Sequence, residues 1–117
     1  MSKTESIADI ESRDRSDARA FIATHSTLFE REAMAASLRD ADDALAEALT
    51  AYSRGMARVA DALESEAYRL PIPELLCKMP ADVEPLVGSG RVAESYAAGV
   101  RDSVALVRRM NPMFRRA

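Results

Sequence analysis

The chain has 117 residues, of which 48% are hydrophobic and only 5% aromatic, with no tryptophan and a net charge of −3. That length sets a ceiling of one domain around one core, and no apolar run approaches the ~18–20 residues needed to cross a bilayer. The lone cysteine, Cys77, rules out an intramolecular disulfide and fits a reducing, cytoplasmic setting; the polar start Met1-Ser2-Lys3-Thr4-Glu5 lacks the basic and apolar regions of a secretion signal.

Residues 1–26 are polar and weakly periodic, which predicts a weakly ordered N-terminal segment or a short helix. At Thr27-Leu28-Phe29-Glu30 the spacing matches a capping box, in which the Thr hydroxyl and the Glu carboxylate satisfy the first amides of a helix. From Leu28 to Leu70 no proline intervenes and strong helix formers dominate, so the sequence predicts one helix over 28–70, about 60 Å long. Its apolar residues Leu38, Leu45, Leu49, Tyr52, Met56, Val59, Leu63 and Leu70 follow steps of three, four and seven, the pattern of a coiled-coil seam. Asp42 and Glu66 fall on skipped seam positions. Ala41, Ala48, Gly55 and Ala62 form a neighbouring column of small residues; Gly55, in register with three alanines, reads as a site of close helix approach rather than a hinge.

Pro71, Pro73, Pro80 and Pro85, followed by Gly88 and Gly90, end that helix. The connector 71–90 is nevertheless apolar, with Leu75, Leu76 and Met79 among its residues, and is expected to form one-turn helices starting at Pro73 and at Pro80. A last helix is predicted over 91–110, with Val92, Tyr96, Val100, Val104 and Val107 on one arc. Asn111-Pro112 stops it, leaving the tail 111–117 with Phe114, Arg115 and Arg116. Charge is distributed unevenly: residues 1–50 carry 6 basic and 11 acidic groups, residues 90–117 carry 6 and 2, a dipolar pattern that can pair the chain's own ends, pair it head to tail with a copy, or offer its basic tail to an acidic partner.

Reactive chemistry has little to build on. His25 has no Glu three residues before it, as a carboxylate-bridged bundle site would need, and it reads as a turn or helix-end residue. Asp40-Ala41-Asp42-Asp43 lacks the glycine and terminal glutamate of a calcium loop. Cys77 is not part of a Cys-x-x-Cys pair and reads as a small buried residue. No catalytic, metal-binding or cofactor-binding residues are assigned, and a non-enzymatic protein is expected.

The fold expected is all-α: a long central helix with a heptad seam, a shorter return helix, and a helical hairpin or bundle completed by oligomerisation. The reasoning is geometric, since a return helix of about 30 Å covers half of a 60 Å seam. A homo-oligomeric interaction module follows, dimeric most simply, acting as an adaptor, accessory subunit or chaperone-like regulator. Leu38, Leu45, Leu49, Tyr52, Met56, Val59 and Leu63 are expected to form the self-interface. Leu75, Leu76, Met79, Phe114, Arg115 and Arg116 are expected to meet a second protein. The alternatives are a nucleic-acid-associated regulator using the arginine-rich end, disfavoured by the overall negative charge, and a helical-bundle enzyme or ligand binder with a pocket under residues 71–90.

Overall fold

A computed structural model describes residues 7–39, 41–65, 70–87 and 90–110 of the chain. Among them are four helices: α1 (Ile7–Leu38), α2 (Asp43–Ser65), α3 (Ile72–Val87) and α4 (Arg91–Met110). The all-α expectation is met, as an elongated bundle of 59 × 32 × 21 Å.

The N-terminal segment is not a weak element but part of the longest helix. Among the described residues of α1 the buried positions are Arg15, Ala18, Ile22, Ser26, Ala33 and Ala36, with half-buried Phe29 between Ser26 and Ala33, steps of three and four that place one stripe of α1 against α2. Most members of that stripe are small or polar. Because the helix is already running at Thr27, its amides are paired and nothing is left to cap; the Thr27 hydroxyl instead donates to the Ala23 carbonyl one turn back, at 3.1 Å. The expected capping box is therefore not a helix start.

The single helix expected over 28–70 is divided. Ala41 takes a positive φ of 50°, and the Asp42 amide reaches back to the Ala36 carbonyl at 3.0 Å, which turns the chain through a tight corner. Asp42 then starts α2: its Oδ1 accepts the Leu45 amide at 3.0 Å, the N-cap arrangement, worth about 1 kcal/mol. The skipped seam position is thus a cap, and the acidic side chain at Asp43 lies in the first turn, where the helix dipole favours it. Antiparallel α1 and α2 form a hairpin, locked at mid-length by Ser26 and Ser53. Each hydroxyl donates to the other residue's carbonyl at 2.9 Å, in a buried contact that bulkier side chains would hold apart.

In place of two separate turns, residues 72–87 make one helix, begun by the Leu75 amide bonding the Pro71 carbonyl at 3.0 Å. Pro73 sits in the first turn, where its missing N–H leaves no bond unmade. Its buried side chains Ile72, Leu75, Leu76 and Met79 join Ile22 of α1, Met56, Val59 and Leu63 of α2, and Val100, Val104 and Val107 of α4 in one core. The predicted helix over 91–110 matches α4. Gly90, at φ 114°, precedes it in a backbone conformation that side chains rarely adopt.

Val92, near the start of α4, borders a groove with Asp43 and Ala46 of early α2, whereas Val104 and Val107 share the core with Val59 and Leu63 of late α2. The helices α2 and α4 therefore run in the same direction, and α3 is the crossover that this requires.

Candidate interaction surface

Gly55 of α2 faces Gly99 of α4. A Cβ added to Gly55 would lie 2.2 Å from the Tyr96 carbonyl oxygen, and one added to Gly99 would lie 2.2 Å from that of Tyr52. The close-packing role expected of Gly55 is thus met, by a partner glycine in the same chain. Beside this crossing Tyr52 spans three helices: its ring meets Phe29 of α1 edge-on at 4.7 Å between centroids, and its hydroxyl donates to Asp102 Oδ2 of α4 at 2.5 Å.

Partial burial and the Asp102 carboxylate both hold the Tyr52 phenol protonated well above its usual range. The folded chain keeps this proton where the unfolded chain, titrating near pH 10, gives it up, so the stabilisation from Tyr52 is complete below about pH 10 and declines as pH rises further. Tyr52→Phe is expected to cost about 1 kcal/mol at neutral pH. The gap in melting temperature between wild type and variant should narrow above pH 10, and a gap independent of pH would contradict the assignment.

Expected interface residues divide by position. Leu38 is 78% exposed and Leu45 45% exposed; Leu49 and Tyr52 are half-buried. By contrast, Met56, Val59 and Leu63 are enclosed by helices of their own chain, so they offer nothing to a second copy. The reason is the division of the predicted rod, which folds α1 back over a seam expected to need outside cover. Leu75, Leu76 and Met79 are likewise buried, as the apolar stripe of α3, and are not available to a partner. Phe114, Arg115 and Arg116 lie outside the described residues. Two smaller expectations are also corrected. Cys77 is exposed rather than buried, with the Arg108 guanidinium 3.3 Å from its Sγ. His25 is within α1, its ring against Phe21 at 4.4 Å and its Nδ1 2.9 Å from the Phe21 carbonyl oxygen.

Towards the α1–α2 corner the bundle opens. A groove of about 930 Å³ runs between the end of α1 and the starts of α2 and α4. Ala33, Met34, Ala46, Ala51, Val92 and Tyr96 give it an apolar lining, and Glu30, Asp43, Glu47 and Arg54 stand at its polar edge. Met34 is 61% exposed and Val92 50% exposed. Together with Leu38 and Leu45, these are four of the large apolar side chains left in water, all on helix ends bordering the same corner. Sequence reading missed the groove. Met34 and Leu38, four apart on α1, were the available signal, but Met34 is off the 3.5-residue seam.

Among the described residues no three His, Cys, Asp or Glu side chains are grouped to hold a metal ion, and no helix is long and apolar enough to cross a membrane. No protein-family model, curated protein or solved structure matches the chain.

Proposed function

We propose that the chain is a non-enzymatic helical interaction module, an oligomeric adaptor, accessory subunit or chaperone-like regulator of the cytoplasm, whose binding surface is the open corner of the bundle. The observation that carries this reading is an apolar groove walled in part by the exposed Met34 and Val92, at the end of the bundle where Leu38 and Leu45 are also exposed. Isolated exposed apolar residues are ordinary on protein surfaces, but a contiguous apolar patch rimmed by charge marks a place where another chain binds. Self-association through this corner replaces the full-length seam, of which Leu38 and Leu45 remain accessible. The nucleic-acid alternative is less well supported, because one of the two arginines in the last turn of α4, Arg108, turns towards Cys77.

The test is native mass as a function of concentration, for wild type and for the Met34→Ser, Val92→Ser double variant of the groove lining. Both side chains are exposed, so the variant should fold, as circular dichroism would check. Wild type is expected to gain mass with concentration and the variant to stay monomeric. A wild-type mass that never departs from one chain, with no co-purifying partner, would remove the reading.

A further inference from the structure

The groove is apolar at its base and mostly acidic at its edge: three carboxylates, Glu30, Asp43 and Glu47, against the single guanidinium of Arg54. Two such grooves brought face to face would set like charges together, which disfavours a symmetric contact between them. The occupant that fits is an apolar anchor followed by cations. This chain carries that pattern directly after α4, in Met113-Phe114-Arg115-Arg116.

The end of α4 is far from the groove of its own chain. Along the axis of α4, Met110 is about 21 Å from Tyr96 and about 27 Å from Val92, the two α4 residues that line the groove. Phe114, four residues past Met110, reaches at most about 14 Å even in a fully extended chain. The parallel course of α2 and α4 puts Met110, the end of α4, and the groove at opposite ends of the bundle, which favours the groove of another copy for the segment that follows α4.

Resting on the reading of the open corner as a binding surface, we propose that this protein self-associates head to tail: Met113 and Phe114 of one copy enter the groove of the next, and Arg115 and Arg116 pair with its Glu30, Asp43 and Glu47. Such a contact is heterologous, so it propagates into a ring or a filament and does not stop at a two-fold dimer. It also weakens with added salt, because the paired charges are at the groove edge.

Two charge-reversed proteins test this: a groove variant, Glu30→Arg with Glu47→Arg, and a tail variant, Arg115→Glu with Arg116→Glu. All four positions are at the edge of the groove or beyond the last helix, so both variants should keep the wild-type helix content and melting temperature. Each alone is expected to stay monomeric at concentrations where wild type assembles. Mixed in equal amounts they should recover assembly as alternating copies, because the intact tail of the first fits the intact groove of the second and the reversed, acidic tail of the second meets the reversed, basic groove of the first. A labelled peptide of residues 108–117 should bind wild type and lose affinity roughly tenfold or more for the groove variant or in ~0.5 M salt.

A tail variant that assembles like wild type, or a mixture that remains two monomers, overturns the proposal. If assembly also survives in the tail variant but is lost on Met34→Ser with Val92→Ser, the groove is still the binding surface and only the tail as its occupant is wrong. If wild type never assembles and the peptide does not bind, both readings fall.

Discussion

Gly99→Ala is expected to lower the melting temperature by roughly 10–15 °C, corresponding to a loss of about 3 kcal/mol, and Gly55→Ala should do nearly the same. Either change adds one methyl group. In an exposed helix that methyl would help, since alanine is favoured over glycine by up to about 1 kcal/mol. Here the new Cβ would be 2.2 Å from a carbonyl oxygen of the facing helix, with its next neighbours also backbone atoms, at 3.0–3.2 Å. No side chain can rotate away, so α2 and α4 must separate by about 1 Å along their whole contact. The loosened layer includes Val59, Val100 and Val104, buried on the two helices, and dispersion falls steeply over such a gap. Thermal or chemical denaturation of the two variants measures the effect. An unchanged or raised melting temperature would show that the helices do not cross at these glycines. A Gly55→Ala, Gly99→Ala double variant should cost less than the sum of the two single changes, because both act on one separation.

The parts of the fold legible in the sequence are those signalled by large apolar side chains or by strong helix stops. The last helix is an example: valines at regular spacing, a glycine before it and Asn111-Pro112 after it define α4 without ambiguity. The contact at Gly55 was legible too, because a glycine in register with alanines has a clear steric reason. α1 failed for the opposite reason. Its buried stripe is written in Arg15, Ala18, Ser26, Ala33 and Ala36, residues that carry little hydrophobic signal, and its contact with α2 gains from how closely two thin helices approach. Ser26 and Ser53 illustrate the point: each looks like surface in the sequence, and together they form a satisfied buried pair.

In the sequence the aspartates of Asp40-Ala41-Asp42-Asp43 were weighed only as calcium ligands. Their tendency to compete with the helix backbone for hydrogen bonds was the more informative property. Asp42 as an N-cap and Ala41 with a positive φ split the predicted rod there, and most later errors of assignment follow from that one. A 60 Å rod leaves an apolar seam uncovered; a folded-back hairpin covers its second half and leaves only the corner open. The candidate surface accordingly contracted from a full seam to Leu38 and Leu45 and gained Met34 and Val92. Nothing local in the sequence announces the groove, since its walls come from three helices and its volume depends on where α4 begins relative to α2.

The apolar stripe of α3 supplies the second large expected effect. Leu76 is fully buried, and Leu76→Ala removes three carbons from a site walled by α1, α2 and α4, for an expected loss of about 2–5 kcal/mol. Set against a typical total stability of ~5–15 kcal/mol, that is enough to populate the unfolded chain at physiological temperature. The measurement separates the two roles a leucine there can have. As a partner contact, its removal would leave the melting temperature of the isolated chain unchanged and weaken only binding. As core, it lowers the melting temperature at every protein concentration, while Leu45→Ala, on a side chain 45% exposed, shifts it little. If Leu76→Ala melts like wild type, α3 does not hold the bundle together and the parallel path from α2 to α4 loses its support. If it melts early and cooperatively, the proline-rich segment is the buckle of the fold, and binding has to be sought at the opposite end, where the corner is open.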